Sequence, residues 1–229
     1  MLVAIIPALN EAGSITQVII DLLAGGVTRV IVADNGSTDA TVRVAQAAGA
    51  QVVSASRRGY GSACLAGLAA IPATASAVVF CDADGADDLA RLQQVVGPVL
   101  RGEADLVVGS RALGVSPLGA LTPPQRMGNV VATLLMRVLF WRVVTDLGPF
   151  RCVSVAALQR LHMGDPTFGW TAEMQTKVFR LGLRYLEVPV DAKLRTAGES
   201  KISGRLGAVF KAGWGIISTI IRYRCMPLA

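Results

Sequence analysis

One histidine, four scattered cysteines and a charged fraction of 17% leave this 229-residue chain with few of the groups used for nucleophilic or soft-metal chemistry. His162 follows Leu161 at the end of a helical pattern, so neither a histidine-based triad nor a histidine-rich zinc site is available. Cys64, Cys81, Cys152 and Cys225 make no C-x-x-C pair and stand among apolar residues, the pattern of reduced packing residues. Aromatic residues are 5% of the chain and no nucleic-acid-binding motif occurs, which argues against a nucleic-acid partner. Mean hydropathy is positive, yet no apolar run can span a bilayer. The best candidate, Val130 to Val144, is interrupted by Arg137 and Arg142 and falls short of the roughly 20 apolar residues required. Met1 leads into a strand-like run with no basic n-region, so no signal peptide is expected, and the expected location is cytoplasmic, peripheral on the cytoplasmic membrane face. The first strand ends in Pro7-Ala8-Leu9-Asn10-Glu11, where a dinucleotide fold would carry G-x-G-x-x-G; this argues against a dehydrogenase. The glycine-rich basic loop of a sugar-phosphate nucleotidyltransferase is missing there too.

Short β-rich runs alternate with helical patterns. The spacing predicts strands over 2–6, 29–33, 51–54, 77–81, 105–108 and 185–188, and helices over 13–23, 39–48, 62–70, 88–100, 124–140, 155–161 and 171–181. Alternation of this kind gives an α/β fold, a Rossmann-like, mostly parallel central sheet flanked by helices, with ligands at the C-terminal ends of its strands. Residues 110–125, rich in glycine and proline, form the longest predicted loop and a candidate lid.

The run Val78-Val79-Phe80-Cys81 ends in Asp82-Ala83-Asp84-Gly85. On a strand, Asp82 and Asp84 would share one face and reach one divalent cation. Such a pair leaves coordination positions open for phosphate oxygens, the usual way Mg²⁺ or Mn²⁺ is held on a nucleoside diphosphate. An ordinary helix-capping loop would carry the same tripeptide. The second strand ends in Asp34-Asn35-Gly36-Ser37-Thr38-Asp39, where Asp34 can accept from a base or ribose and Thr38 or Asp39 can cap the next helix.

Taken in order, P-A-L-N-E, D-N-G-S-T-D, G-Y-G-S-A from Gly59, D-A-D-G, and G-S-R from Gly109 make the chain resemble the family 2 glycosyltransferases, which have the GT-A fold. Within that family it is most similar to the polyprenyl-phosphate (dolichol-phosphate) mannosyltransferase and glucosyltransferase branch, on T-D-L-G-P-F-R from Thr145, G-W-T-A-E-M from Gly169 and R-T-A-G-E-S-K from Arg195. The resemblance implies a GT-A domain over 1–204, a nucleotide-sugar donor, and a hexose moved with inversion to a polyprenyl phosphate. It further implies that Pro7, Ala8, Asn10, Glu11 and Asp34 hold the nucleoside side of the donor, and that Asp82, Ala83 and Asp84 lie at the diphosphate. Asp82 and Asp84 would bind Mg²⁺ or Mn²⁺, while Arg111, Arg126, Arg195 and Lys201 would surround the phosphates.

Asp84, Arg126 and Glu173 are the expected catalytic residues. A phosphate acceptor needs cations to position it and no general base, since its oxygen is already anionic; a hydroxyl acceptor needs a carboxylate, and Glu173 is best placed by motif. The alternative for Glu173 is an ion pair. A soluble or glycan hydroxyl is therefore the alternative acceptor. The branch often has a Gln where this chain has Ala86, and a second Asp where it has Asn35, so a non-catalytic nucleotide-sugar-binding protein that docks on membranes is the reading from another class.

Charge is uneven. Seven basic residues and Glu199 lie from Lys193 onward, leaving fifteen of each sign before it. Over 205–229 an apolar stripe including Ile216, Ile217, Ile220 and Ile221 recurs at helical spacing among arginines, a basic amphipathic helix suited to a peripheral membrane surface; packing on its own domain or a dimer mate is the alternative.

Overall fold

The computed structural model describes residues 1–194 and 206–226, with side chains of 206–212 excepted. Among these residues, seven strands form one sheet in the order β3-β2-β1-β4-β6-β5-β7. They are β1 (Leu2–Ala8), β2 (Arg29–Asp34), β3 (Gln51–Ser54), β4 (Ala77–Phe80), β5 (Leu106–Ser110), β6 (Arg151–Ser154) and β7 (Tyr185–Pro189). The helices are α1 (Ile15–Ala24), α2 (Thr41–Ala47), α3 (Tyr60–Ala69), α4 (Leu92–Leu100), α5 (Pro123–Phe140), α6 (Val155–Leu161), α7 (Trp170–Arg180) and α8 (Leu206–Cys225).

Strands β1, β2 and β4 read as nearly unbroken apolar runs because both faces of the sheet are covered there, whereas β3, at the edge, is half-exposed. Along β1, Leu2, Ala4, Ile6 and Ala8 pack with Ile15, Ile19 and Leu22 of α1 and Val95 and Val96 of α4. Val3 and Ile5 point the other way, into a second core with Phe80, Leu158, Trp170 and Met174 from α6 and α7. Trp170 is fully buried and packs edge-on to Phe80 at 4.7 Å.

Strand β6 departs from the sequence expectation. Only four residues long, it runs antiparallel to both β4 (Phe80↔Arg151) and β5 (Val108↔Arg151), between two strands that the pattern treats as neighbours. Its opening residue is Arg151, a charge in the middle of the sheet, which hides it from any hydrophobic pattern. The guanidinium is fully buried. It donates to the carbonyls of Gly148 (3.0 Å), Leu147 (3.0 Å) and Thr171 (3.0 Å), tying the segment before β6 to the start of α7.

The C-terminal helix also differs from the membrane-facing expectation over its described side chains. Ile220 is buried in a third cluster with Ala132 and Met136 of α5, Val144, Leu147 and Ala172. Thr219 donates to Asp165 at 3.0 Å, Arg180 donates to the Tyr223 and Met226 carbonyls, and Arg224 donates to the Leu139 carbonyl. Over 213–226 α8 therefore packs on its own domain, the alternative the sequence had left open.

Arg151→Met keeps most of the volume and leaves several carbonyls without their donor. It is expected to lower the unfolding free energy by about 2–4 kcal/mol in urea denaturation, because each buried acceptor left unpaired costs on the order of 1–3 kcal/mol. A change below about 1 kcal/mol would show that water replaces the guanidinium.

Candidate active site

Because β1 pairs in parallel with both β2 and β4, their C-terminal ends emerge side by side at one edge of the sheet. The loops there are stitched together. The Asn10 main chain donates to Ser37 Oγ (2.9 Å), and its side-chain oxygen accepts from the Thr38 amide (2.7 Å), in a left-handed conformation that Asn tolerates. The Glu11 amide donates to Thr41 Oγ1 at 2.8 Å. Asp34 accepts from the amides of Gly36 (3.1 Å) and Ser37 (3.2 Å), so its carboxylate shapes the turn after β2. Asn35, whose amide replaces the second acidic residue common in the branch, grips Gly59 from both sides: its Nδ2 donates to the Gly59 carbonyl (2.6 Å) and its Oδ1 accepts from the Gly59 amide (3.0 Å). Asp could not make the first of these bonds. Beyond Gly59, the α3 N-terminus sits so close to the 165–167 loop that a Cβ on Gly61 would lie 2.0 Å from the Asp165 carbonyl oxygen.

Strand β4 stops at Phe80, so Asp82 and Asp84 lie on a turn and not on the strand face predicted for them. What aims them is the turn itself. The Asp82 amide donates to Asp87 Oδ2 (2.7 Å), Asp84 Oδ1 accepts from the Ala86 amide (2.9 Å), and Gly85 takes φ 75°. Asp84 and Asp87 are buried. Burial and the neighbouring Asp84 charge push the Asp87 carboxyl up to about 7. Ala83 is buried in the core and offers the site its main chain only. Lys193 closes the far side, its Nζ 2.7 Å from Asp88 and its amide donating to the Ala86 carbonyl.

Opposite the acidic turn stands Arg111, just past β5. Asp146 accepts from its Nε (2.8 Å), its Nη2 (2.8 Å) and its main-chain amide (2.9 Å). Asp146 is buried, and the charges of Asp146, Asp87 and Asp82 hold the guanidinium firmly protonated. The segment carrying Asp146 is itself fixed. Asn129 of α5 donates to the Thr145 carbonyl (2.9 Å) and accepts from the Leu147 amide (3.0 Å), and Gln175 of α7 donates to the Asp146 carbonyl (3.0 Å). Glu187 accepts from Thr145 Oγ1 (2.7 Å) and from Tyr185 (2.6 Å).

Between these groups opens a cleft of about 940 Å³. Asp82, Arg111, Arg126 and Asp146 line its polar end; Met127, Val130, Val131, Trp214, Ile216 and Ile217 line the rest. Arg126 stands in the first turn of α5, whose start is fixed by the Thr122 amide donating to Gln125 Oε1 at 2.9 Å. The predicted lid contributes Ala112, Gly114, Ser116 and Leu121 to the wall. Of the sequence-predicted residues, Asp82, Arg111 and Arg126 thus meet in one cleft, with Asp84 buried in the same turn as Asp82 and Pro7, Ala8, Asn10, Glu11 and Asp34 on the adjoining strand ends. Arg195 and Lys201 lie outside the described residues. Sequence reasoning gave no role to Asp146, Asp87 or Lys193; the T-D-L-G spacing and the Asp87-Asp88 pair following D-A-D-G were the available signals.

Glu173 is placed elsewhere. It is 0% exposed, 2.6 Å from Lys177, and accepts from the Gly164 (2.9 Å) and Asp165 (2.8 Å) amides. Its carboxylate holds the loop that meets the α3 N-terminus; this is the ion-pair alternative, and the partner is a lysine.

Glu173→Gln should therefore keep turnover within about tenfold, where loss of a general base would cost roughly 10²–10⁴, and should lower the melting temperature by several degrees. For Asp87, a folded-state value raised to about 7 means that the native protein holds a proton the unfolded chain has released. Stability of the metal-free protein should then fall as pH rises from about 4 to about 7 and level off above that. Asp87→Asn should flatten this slope in a series of melts across pH.

Three comparisons bear on this geometry. Residues 3–161 match the family model described as glycosyl transferase family 2. An uncharacterised glycosyltransferase of Mycobacterium tuberculosis is 39% identical over 204 residues, covering 88% of this chain and 89% of its own. An undecaprenyl-phosphate mannosyltransferase of Micrococcus luteus is 27% identical and is covered over 93% of each chain. Among solved structures, glucosyl-3-phosphoglycerate synthase from M. tuberculosis, in complex with Mn²⁺, uridine diphosphate and phosphoglyceric acid, superposes with a TM-score of 0.79 at 27% identity, over 99% of this chain and 79% of that one. With the model running from β1 to the end of α6 and the sheet carrying its acidic turn beside an arginine-lined cleft, the chain belongs to glycosyl transferase family 2 and has the GT-A fold.

Proposed function

We infer that this glycosyltransferase moves a hexose from a nucleoside diphosphate sugar to a polyprenyl phosphate. The observation that carries the reading is the mixed lining of the cleft, with carboxylates and arginines together with apolar side chains of α5 and α8. A phosphorylated polyprenyl chain has the same two parts, a charged head and an apolar tail. The undecaprenyl-phosphate mannosyltransferase of M. luteus, similar over 93% of both chains, supports the same acceptor.

The residues present fit a divalent cation. Among the described residues no cluster of three metal-ligating side chains occurs; Asp82 and Asp84 would hold the ion, and diphosphate oxygens would supply the further oxygen ligands that Mg²⁺ and Mn²⁺ favour on nucleotides. Asp87, its carboxyl raised by burial and by the Asp84 charge, stands in the same turn. Bound there, such an ion would supply a Lewis acid for the leaving diphosphate. Mn²⁺ accompanies uridine diphosphate in the glucosyl-3-phosphoglycerate synthase complex.

The bond from the anomeric carbon to the diphosphate oxygen breaks, and a bond from that carbon to an acceptor phosphate oxygen forms on the opposite face. The acceptor oxygen is already anionic and needs no base, in keeping with the burial of Glu173 away from the cleft wall. What it needs is orientation beside another anion. Arg126, at the start of α5, meets it with a guanidinium and a helix N-terminus of matching sign. Arg111, pre-aimed by Asp146, offsets the charge that grows on the leaving group.

A second reading, a soluble phosphorylated acceptor, is favoured by the phosphoglyceric acid in the similar synthase complex. Both readings share the cationic end of the cleft and differ in whether the apolar wall has work to do.

Asp84→Asn removes charge without changing size and is expected to lower transfer by roughly 10²–10³ and to abolish the Mn²⁺-dependent rise in melting temperature caused by the donor. Labelled hexose from uridine and guanosine diphosphate sugars, offered a polyprenyl phosphate and phosphoglycerate side by side, tests the acceptor. Transfer only to the soluble acid would replace the lipid reading with the second one.

A further inference from the structure

Helix α5 is apolar on two sides. Its inner side, with Ala132 and Met136, packs in the cluster shared with α7 and α8. Its outer side is a second stripe, Met127, Val130, Val131, Leu134, Val138 and Trp141, and every member is exposed. Positions spaced 3, 4, 7 and 11 residues from Met127 fall within an arc of about 100° on an α-helix, so they form one continuous face, and Trp141 caps the helix just past it. Trp141 is 92% exposed. A packed monomer gains nothing by presenting such a face to water.

We propose that this outer stripe of α5 is the surface by which the protein lies on an anionic lipid bilayer, with the mouth of the cleft turned toward the lipid. Charge selects the partner. From Leu106 to Thr145 the chain has no Asp or Glu, while Arg111, Arg126, Arg137 and Arg142 are present. Arg126 and Arg137, eleven residues apart, flank one edge of the stripe, and Arg142 follows Trp141 directly. A second copy of the chain seated on this face would set arginines against arginines; an anionic bilayer reverses the sign of that interaction. The same arginines forbid insertion across the membrane, and no described helix is long and apolar enough to cross one. A helix that is basic, apolar along one exposed arc and ended by tryptophan has the composition of an interfacial helix. Continuity with the site adds a second argument. Met127, Val130 and Val131 belong to both the stripe and the cleft wall, so a bilayer meeting the stripe also meets the cleft. The docking element is thereby α5, while the described part of α8 packs on the domain through Ile220 and lines the cleft through Trp214, Ile216 and Ile217.

The test uses the full chain and vesicles of phosphatidylglycerol and phosphatidylcholine that contain no polyprenyl phosphate, so its result is independent of the acceptor reading. The intact protein should co-sediment with phosphatidylglycerol vesicles, less so as salt rises, and far less with phosphatidylcholine alone. Leu134→Glu with Val138→Glu lies outside the cleft wall. It should weaken binding by roughly a hundredfold, the loss expected when two apolar side chains leave a hydrocarbon interface, with the donor-induced rise in melting temperature unchanged. Trp141→Ala, at a position nearly free of packing, should weaken it several-fold without any risk to folding. Ile221→Glu, on the exposed side of α8, should leave vesicle binding unaltered. Failure of the intact chain to sediment at low salt would overturn the proposal, as would wild-type binding by either α5 variant. A dimer of the intact chain that the double variant converts to monomer, with no vesicle binding, would overturn it in favour of a second copy. Bilayer binding without transfer to polyprenyl phosphate would sink only the acceptor reading.

Discussion

Asp146 accepting three hydrogen bonds from Arg111 is the contact that fixes the cation facing the acidic turn, and the site depends on it. Arg111 follows β5, whose parallel partner is β7, whereas Asp146 belongs to the segment that returns from α5 into β6. Without that pair, the sheet edge would carry an acidic turn on one side and an unanchored cation on the other. A bidentate geometry with both groups largely withdrawn from water holds the guanidinium in one orientation. Its own partners, Asn129, Gln175 and Glu187, come from α5, α7 and β7 and act on the main chain around Asp146, so the pair is held from three sides.

This arrangement explains why a sheet of this kind tolerates an antiparallel strand in its middle. Parallel order alone would require a crossover helix between β4 and its next neighbour, and the chain would leave the ligand edge at each crossing. By entering β6 from the ligand edge, the Thr145–Phe150 segment crosses the strand ends before it goes down into the sheet. The cost is a charge in the core. Arg151 meets it with backbone carbonyls, and in doing so fixes the segment that carries Asp146.

Much of the fold was legible because β1, β2 and β4 are buried on both faces and read as apolar runs ending in polar turns, with helices at amphipathic spacing between them. Strand β6 was not, since four residues beginning with a buried arginine give no periodic signal. At the site, D-A-D-G read as a strand face presenting two carboxylates together, but here a turn closed by Asp87 and Gly85 aims them. Glu173 stood in a motif and was read by its chemistry, yet its neighbours in space are two amides and a lysine, and no pattern of spacing reports on those. Asn35 is similar: in sequence a missing charge, in the structure a two-way clasp on Gly59 that requires an amide.

The remaining lesson concerns apolar residues that a pattern counts once and a structure uses twice. Over 123–140 hydrophobic positions outnumber those one buried face can absorb, and the sequence, with Arg137 and Arg142 excluding a membrane span, assigns the excess no role. Exposure divides the helix into an inner face that builds the domain and an outer face that builds nothing within it. In α8 the stripe expected at the surface is partly consumed by packing at Ile220, so the apolar surplus of this chain is displaced from the helix where charge drew attention to it onto α5. The acid-free stretch between Leu106 and Thr145 coincides with the exposed apolar arc of α5 and with part of the wall of the cleft, so apolar surface and positive charge lie together there.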